Sequence, residues 1–481
     1  MNAKTHSYLW LLIGSALLLF MGWHWNVPVA LWLAPVFLMR FFRTQERWPA
    51  TLLAVPPMAL ALFANIHGGW DFSIPAELGL GLARALPFLL ALTADRALHR
   101  RLPPILALLV YPAVYVAGDF LIGLTPLGTV FSVAATQFEL SQFLQLAAAG
   151  GIWGMGFVMS CLAPVANRLW EHDFDAGRAG ALPAIYGALL AAILLLGGWR
   201  LRGDAPAPTV RVAGITVPHA RDYWGAIIDL NTPEEIVQSY AEEFASLEDR
   251  LFAESARAAG FGAPVIFWAE GEAMLTPETE PAFMARAQAF AREHGVYLMP
   301  TYVVLHYGTL NNDNRLAMIT PEGEIAFTYT KTQSWYPTDS DGVLHWVDTP
   351  YGRIGGAICF DMDFPALIHQ AGKAGVDIML VPAYDWEPIK PYHTEVGLFR
   401  AVENGMAIFR QVNEGTSMAV DYRGRLLAYQ DYFDTGDPLL LADLPTKGVR
   451  TLYSLLGDWV AYGCVVLAVV LAVIAIVKRE A

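Results

Sequence analysis

Long apolar runs fill the N-terminal part of this chain and limit its fold more than any other feature. A helix needs about 20 apolar residues to cross the roughly 30 Å hydrocarbon core of a bilayer. The second run below is short and the third contains Pro56-Pro57, so each is either a full span or a re-entrant or broken helix. The pattern predicts a polytopic α-helical membrane domain with about seven transmembrane helices, and one more helix near the end. The runs lie near 8–25, 28–42, 50–66, 78–95, 104–124, 144–166, 181–199 and 456–477.

The composition agrees with a chain that is partly dissolved in lipid. Charged residues make up 16% of the sequence, against about 25% in a soluble protein, and hydrophobic residues make up 55%. The formal net charge of −14 argues against a nucleic-acid partner, because nucleic-acid-binding proteins carry basic patches. The apolar start of the chain imitates a secretory signal, but no small-residue cleavage site follows it. We therefore interpret it as a retained membrane helix.

The distribution of lysine and arginine among the loops predicts the orientation in the membrane. The loops at 67–77 and 125–139 contain neither residue. Because basic loops stay in the cytoplasm, both termini are predicted to be cytoplasmic, and the region between the last two apolar runs is predicted to lie on the outer side. Arg200 and Arg202 are an exception that a large following domain can override. The basic residues that set this orientation are Lys4, Arg40, Arg43, Arg47, Arg96, Arg100, Arg101, Arg168, Arg178, Lys478 and Arg479.

From residue 209 the sequence changes to short β-branched runs that alternate with amphipathic helical patterns. This alternation is typical of a single α/β domain. The predicted domains are a membrane domain at 1–202, an α/β domain at 203–450, and a C-terminal transmembrane helix with a short tail at 451–481. Strands are predicted at 209–217, 264–268, 296–305, 315–319, 325–330, 353–359, 377–382, 407–413 and 416–421, and helices near 232–258, 280–294, 364–374 and 393–404.

Three reactive side chains terminate three different predicted strands: Glu270, Lys331 and Cys359. Cys359 differs from Cys161 and Cys464, which lie inside apolar runs where a thiol behaves as a small hydrophobe. Each of the three reactive residues also fits an ordinary position, such as a solvated surface Glu, a turn Lys or a buried strand Cys. Their combination is what suggests chemistry, because a base, a cation and a nucleophile form a complete set.

A cysteine thiol is mostly protonated at neutral pH, with a pKa of about 8.5. A neighbouring carboxylate such as Glu270 takes this proton as a general base. The Lys331 ammonium group then favours the thiolate and later the tetrahedral oxyanion. The backbone N–H of Phe360, next after the nucleophile, is the natural second oxyanion donor. The set predicts acyl transfer through a thioester, with the carboxyl group returning the proton to the leaving group.

The segments that carry these residues resemble the signature blocks of the nitrilase (carbon–nitrogen hydrolase) superfamily, and they occur in that family's order. A domain of this kind between seven apolar runs and one more is similar to the apolipoprotein N-acyltransferase family. The resemblance implies an αββα sandwich over 209–445. The segments are Phe267-Trp-Ala-Glu270, Tyr329-Thr-Lys331 and Ala357-Ile-Cys-Phe-Asp361, with Arg410 and Asn413 in what resemble the closing strands.

The resemblance also implies roles and partners. Glu270 becomes the general base, Lys331 the oxyanion stabiliser and Cys359 the nucleophile. Cys359 is then expected to take an acyl chain from a phospholipid and to pass it to the N-terminal amine of a diacylglyceryl-cysteine lipoprotein. The implied location is the bacterial inner membrane, as a multi-pass protein with its catalytic domain on the periplasmic side.

Four segments depart from the family's pattern, and all of them are expected to line the pocket. Asp339 stands at the offset where a Glu is usual, and Asp341 is an alternative to it. Asp361 also replaces a Glu, and the segments Ala269-Glu270-Gly271 and Ala383-Tyr-Asp-Trp-Glu-Pro388 replace family blocks. These changes leave three functions open. They are acyl transfer to a lipoprotein, amide hydrolysis or acyl transfer to a different acceptor, and a non-catalytic membrane scaffold.

The remaining ionisable residues give weaker signals. The eleven histidines show no metal-ligand spacing, and neither HExxH nor CxxC occurs, so we predict no metal and no cofactor. Glu272 is a second candidate for the base, but Glu270 directly follows the strand that ends at Trp268. Asp119 interrupts the fifth apolar run, and we expect its carboxylate to face the bundle interior or the interface.

Overall fold

The computed structural model describes residues 3–45, 48–70, 72–203, 208–218, 241–306, 313–335, 337–434 and 436–480. The chain divides into two compact units. The first contains residues 1–203 and 456–481, and the second contains residues 204–455. The helices are α1 Ala3–Leu17, α2 Ala30–Thr44, α3 Val55–Ile66, α4 Ile74–Leu98, α5 Pro104–Gly123, α6 Ser141–Leu144, α7 Ala147–Glu171, α8 Ala176–Ala179, α9 Leu182–Leu201, α10 Ala241–Gly260, α11 Glu280–His294, α12 Pro365–Ala374, α13 Tyr392–Asn404, α14 Leu452–Leu456 and α15 Trp459–Glu480.

Helices of the first unit overlap all eight predicted apolar runs. Among the described residues, α4, α5, α7, α9 and α15 are long and apolar enough to cross a membrane. The helices α1, α2 and α3 at the first three runs contain 15, 15 and 12 residues. The exact number of spans therefore stays a prediction.

Two buried carboxylates of the first unit are hydrogen-bonded to polar side chains. Both Asp95 carboxylate oxygens accept hydrogen bonds from Arg43 at 2.7 Å, which joins α4 to α2. Asp119 is 9% exposed and accepts a hydrogen bond of 2.7 Å from the Ser132 hydroxyl. The Asp119 carboxylate therefore faces the interior of the unit, one of the two positions expected for a carboxylate in an apolar run.

The second unit contains two β-sheets. In the first sheet the strand order is β14-β1-β2-β4-β6-β5-β3, with β7 paired to β6, and in the second it is β13-β12-β11-β10-β9-β8. The strands are β1 Thr209–Ile215, β2 Val265–Trp268, β3 Ala273–Leu275, β4 Tyr297–Met299, β5 Thr301–Val304, β6 Asp313–Ile319, β7 Ile325–Thr330, β8 Trp346–Thr349, β9 Gly352–Gly356, β10 Ile378–Tyr384, β11 Ala407–Asn413, β12 Thr416–Val420, β13 Leu426–Asp431 and β14 Leu439–Pro445.

The two sheets pack face to face, with helices on their outer sides. The rings of Phe267 on β2 and Phe409 on β11 lie 5.0 Å apart, edge to face. A Cβ atom at Gly214 would lie 2.3 Å from Oε1 of Gln411, so a larger residue here would force the Gln411 side chain on the facing sheet to move. Apolar residues of α10 and α11 join the core of the first sheet, and α13 packs against β11 and β12. This arrangement confirms the predicted αββα sandwich.

Two predicted strands differ from the structure. The strand predicted at 296–305 is divided at Pro300 into β4 and β5, because proline has no N–H to donate to a ladder. The strand predicted at 353–359 ends at Gly356, and Cys359 begins a short 3₁₀ turn instead. The helix predicted at 232–258 is present as α10, while the first part of its predicted range lies outside the described residues.

Candidate active site

The three predicted reactive residues meet in the second unit, near the ends of β2, β7 and β9. Nζ of Lys331 lies 2.5 Å from Oε1 of Glu270, and their side chains are 16% and 4% exposed. In contrast, Glu272 accepts hydrogen bonds from the Val217 N–H and from Asn413. The carboxylate that pairs with Lys331 is therefore Glu270.

Two further donors fix the Glu270 carboxylate. Nδ2 of Asn314 donates to Oε1 at 2.6 Å, and the backbone N–H of Tyr384 donates to Oε2 at 2.9 Å. The Lys331 N–H donates to the Asn314 carbonyl at 2.8 Å, so Asn314 on β6 contacts both charged residues. The Glu270 carboxylate is therefore held in one position by donors from two different strands.

Cys359 is 5% exposed and has a φ of 48°. This left-handed conformation is uncommon for a residue with a Cβ atom, and such residues cluster at active sites. The thiol donates to the Tyr384 carbonyl at 3.5 Å, so the backbone of Tyr384 contacts both the Glu270 carboxylate and the thiol. Burial raises the pKa of the Cys359 thiol, as does Glu270, while Lys331 and Arg410 act in the opposite direction. The resting thiol is therefore protonated and needs a base.

The Lys331 ammonium group remains charged although it is largely buried. Burial acts to lower its pKa, but the negative charge of Glu270 and the hydrogen bond to it outweigh burial, and the pKa of Lys331 is raised. A fixed cation beside a thiol favours the thiolate and a developing oxyanion. This position agrees with the role that the sequence predicts for Lys331.

Asp361 connects the turn of Cys359 to the segment that follows Lys331. Its carboxylate accepts hydrogen bonds from the Tyr329 hydroxyl at 2.7 Å and from the Ile358 N–H at 3.0 Å. The N–H groups of Thr332 and Gln333 donate to it as well, at 3.1 and 2.7 Å. Burial raises the pKa of Asp361 to about 6, although these hydrogen bonds oppose the rise. Asp361 thus joins the turn that carries Cys359 to the segment that follows Lys331.

The other two accessory residues lie nearer the surface. The Phe360 ring stacks on Trp335 with 5.7 Å between centroids and meets Phe364 edge to face at 5.2 Å. Asp339 is exposed, and Asp341 caps a turn by accepting from the Val343 N–H at 2.9 Å. None of these contacts assigns a role in chemistry to Asp339 or Asp341.

A second set of buried polar residues lies next to the Cys359 thiol. The sequence analysis did not predict that these residues would meet. We call Asp363, Asp385, His393 and Arg410 the Arg410 cluster; each is at most 6% exposed. His393 lies between the two carboxylates, with Nδ1 2.7 Å from Asp385 and Nε2 2.9 Å from Asp363. Nη2 of Arg410 donates to Asp385 at 3.0 Å and lies 3.9 Å from Sγ of Cys359, and Nη1 donates to the Cys359 carbonyl at 3.2 Å.

Three members of this cluster have pKa values shifted in the direction that keeps them charged. Burial acts to lower the pKa of His393, but the negative charge of Asp385 outweighs it and raises the pKa to about 9. Burial acts to raise the pKa of Asp385, but Arg410 and His393 outweigh it and lower the pKa to about 2. These shifts favour an ionised Asp385, an imidazolium at His393 and a guanidinium at Arg410.

Comparison with known proteins identifies this domain. Residues 226–453 match the family model of the carbon–nitrogen hydrolases. The α/β domain belongs to the carbon–nitrogen hydrolase superfamily. The prediction of this superfamily from the three sequence blocks is thereby confirmed.

Relatives of the whole chain are apolipoprotein N-acyltransferases. The protein of that name from Gloeobacter violaceus is 25% identical over 467 residues, which cover 90% of this chain and 83% of that protein. The one from Geobacter metallireducens is 25% identical over 384 residues, covering 73% of this chain and 70% of that protein. An (R)-stereoselective amidase from Pseudomonas is 28% identical over 177 residues, 33% of this chain and 62% of the amidase. Among solved structures, an amidase from Nesterenkonia has a TM-score of 0.40 at 19% identity, covering 51% of this chain and 94% of that one.

Metal-ligand atoms of Cys359, Asp385 and His393 in this carbon–nitrogen hydrolase domain lie within 4.8 Å of one another. However, both imidazole nitrogens of His393 bond to carboxylates, so neither offers a free lone pair. The guanidinium group of Arg410 lies against the same atoms and repels a cation. This donor set does not fit a metal ion, and the absence of a metal cofactor stays a prediction.

Proposed function

We propose that this protein is an N-acyltransferase that moves a fatty acyl chain from a phospholipid, through a thioester on Cys359, to the N-terminal amine of a diacylglyceryl-cysteine lipoprotein. The observation that carries the proposal is the match to apolipoprotein N-acyltransferases over both units of the chain, 90% of its length in one case. A soluble amidase has no need of the apolar helices, whereas an enzyme acting on two lipid-anchored substrates does.

In the first half-reaction Glu270 accepts the proton of the Cys359 thiol, and the sulfur attacks the carbonyl carbon of a phospholipid ester. Lys331 and the Phe360 N–H stabilise the resulting oxyanion. Its collapse breaks the ester C–O bond, and the lysophospholipid oxygen leaves with the proton from Glu270. The product is an acyl-thioester on Cys359.

In the second half-reaction the amine of the acceptor attacks the thioester carbon and gives a proton to Glu270. The C–S bond then breaks, an amide remains on the acceptor, and the sulfur recovers the proton as the Cys359 thiol. Each half-reaction therefore returns Glu270 to its ionised form. The fixed hydrogen bonds of Glu270 support this cycle, because the carboxylate keeps one position throughout.

The proposed organisation follows the sequence. The membrane domain comprises 1–202, the catalytic domain 203–450, and the last helix and tail 451–481. We propose a multi-pass protein of the bacterial inner membrane, with both termini in the cytoplasm and the catalytic domain in the periplasm. A membrane-impermeant maleimide on intact spheroplasts tests this, in a background without the native cysteines. Phe261→Cys, at an exposed site, is expected to react, and Arg100→Cys only after lysis.

A second candidate keeps the same thioester but uses water or another amine as the acceptor. The match to an amidase over 177 residues supports it, as do the exposed Asp339 and the altered segment 383–388. In that case the acyl-enzyme forms and is then hydrolysed, or it acylates a different amine.

Intact mass spectrometry of the purified full-length protein tests the proposal. Incubation with a phospholipid of defined acyl chains is expected to add the mass of one acyl chain, removable by hydroxylamine and absent in Cys359→Ala. Addition of a diacylglyceryl-cysteine peptide is expected to remove the adduct and to acylate the peptide. Loss of the adduct at an equal rate in buffer alone would favour the hydrolase. No adduct on a folded protein would contradict acyl transfer from a phospholipid, and would favour a hydrolase acting on soluble amides or a non-catalytic scaffold.

A further inference from the structure

We propose that Arg410 is a positioning residue for Cys359, and that Asp363, Asp385 and His393 serve to hold its guanidinium group against the thiol and the nucleophile's backbone. The inference rests on the proposed role of Cys359 as nucleophile. It adds a second cationic group to the site besides Lys331.

The first argument is the backbone of the nucleophile. A non-glycine residue with a positive φ persists only where its surroundings hold it, and the φ of Cys359 is 48°. The peptide groups on either side of Cys359 are both anchored. The Ile358 carbonyl accepts from the Asp361 N–H at 3.0 Å, and Arg410 donates to the Cys359 carbonyl at 3.2 Å.

The second argument is charge. Nη2 of Arg410 is 3.9 Å from Sγ of Cys359, and both residues are buried. A fixed positive charge at this distance stabilises a thiolate more strongly in a dry site than in water. The other charged groups around the thiol are Glu270, Lys331 and Asp385, together with Asp361 on its own turn and the imidazolium of His393. Arg410 and Lys331 favour the thiolate, whereas the carboxylates oppose it.

The third argument is the way the guanidinium group is held. Asp385 accepts from Nη2 of Arg410, and His393 bridges Asp385 to Asp363. Replacing buried ion pairs with apolar groups is often neutral or stabilising, so such a cluster is weak evidence for a purely structural role. Its contact with a reactive cysteine instead indicates a functional one.

The test is the rate of alkylation of Cys359 by iodoacetamide from pH 6 to pH 10, which reports the thiolate fraction. Full-length protein in detergent carries Cys161→Ala and Cys464→Ala, so that Cys359 is the one remaining thiol. No lipid is needed, and a failure of the proposed acyl transfer therefore does not affect the measurement. Thermal melting is recorded for every variant.

Two variants break the same ion pair but change the charge near sulfur in opposite directions. Arg410→Gln removes the cation and is expected to slow alkylation at pH 7 about tenfold, which corresponds to one unit of thiol pKa. Asp385→Asn removes an anion and is expected to accelerate it. The double variant is expected to lie between the two single variants. Arg410→Lys, which keeps the charge without the fork of donors, is expected to recover part of the rate.

A purely structural role predicts a different pattern. Both single variants would then melt earlier and lose reactivity together. Alkylation slowed to the same degree by Arg410→Gln and Asp385→Asn would overturn the proposal, and so would an unchanged rate in Arg410→Gln. Arg400→Gln is the matched control, because Arg400 is equally buried but pairs with Glu403 on α13. It is expected to lower the melting temperature and to leave the pH profile of alkylation unchanged.

Discussion

Two sets of charged residues border Cys359, and they differ in their access to solvent. The pair of Glu270 and Lys331 keeps some access to solvent through Lys331, whose side chain is 16% exposed. The Arg410 cluster is closed, with His393 bonded to a carboxylate on each side. A group that must exchange protons with substrates needs access, whereas a group that sets a position benefits from burial. The comparison therefore suggests that one group performs the chemistry and the other holds the nucleophile in place.

Loss of the nucleophile gives the largest expected effect, because both groups act on the same sulfur. Cys359→Ala is expected to abolish the acyl adduct and all transfer, and Cys359→Ser to abolish or trap turnover. Intact mass spectrometry and an acylation assay with a lipopeptide measure both. Cys161→Ala is the control and should retain activity, since Cys161 lies in α7 of the other unit. Wild-type turnover in Cys359→Ala would show that Cys359 is not the nucleophile, and the two sets of residues around it would then have no common target.

Glu270→Gln tests the group assigned to chemistry. The amide keeps the shape of the side chain but cannot accept the thiol proton, so thioester formation at neutral pH is expected to fall by about 10²–10⁴-fold. Single-turnover adduct formation measures this rate. Glu272→Gln is the matched control, because Glu272 is also buried but accepts from Val217 and Asn413. Equal losses in the two variants would mean that Glu270 acts only through folding.

Asp361→Ala tests the connection between the turn that carries Cys359 and the segment that follows Lys331. It leaves the donors of Tyr329, Ile358, Thr332 and Gln333 without their acceptor. Each buried donor left unsatisfied costs about 1–3 kcal/mol, so the free energy of unfolding should fall by at least that amount. Denaturant titration of the full chain measures it. Asp361→Asn keeps the shape and one of the two acceptor oxygens, and should lose less. An unchanged stability in Asp361→Ala would show that these segments are held elsewhere.

Because of His393, the contribution of the Arg410 cluster to the free energy of unfolding is expected to depend on pH. Its pKa is raised from 6.5 to about 9 in the folded state, so the folded state binds the proton more tightly than the unfolded state does. The stabilisation is full below pH 6.5 and is lost as the pH rises through 9, at no more than about 1.4 kcal/mol per pH unit. The difference in unfolding free energy between wild type and His393→Gln should therefore shrink from pH 6.5 to 9. A difference that stays constant would show that His393 is neutral in the fold.

Asp339→Ala is expected to have the smallest effect. Asp339 is exposed, and an exposed carboxylate contributes little to the field at a buried thiol because water screens it. Acyl transfer should fall by less than in Glu270→Gln or in any change of Lys331. Steady-state transfer rates compare these variants. A loss as large as that of Glu270→Gln would place Asp339 with the chemical group.

Several features of the molecule could be predicted because they depend on neighbours in the sequence. Apolar runs and β-branched runs reflect local periodicity, and they predict the helices of the first unit and most strands of the sandwich. Glu270, Lys331 and Cys359 could be predicted to meet because each follows the end of a strand. The strand division at Pro300 was missed, although proline is a local signal.

The Arg410 cluster and the contacts of Glu270 depend on the tertiary structure. Asp363, Asp385, His393 and Arg410 come from a turn, a loop, a helix and a strand, and no period or motif links them. In the sequence, Arg410 stood out only as part of a strand that resembles the superfamily's closing strands. Asp385 stood out only as part of segment 383–388, which departs from the family's pattern. Backbone groups such as the N–H and carbonyl of Tyr384 have no signature in the sequence at all. Local patterns thus determined the elements and the three reactive residues, while the charge and hydrogen bonding around Cys359 were decided by packing, because they depend on which distant segments meet.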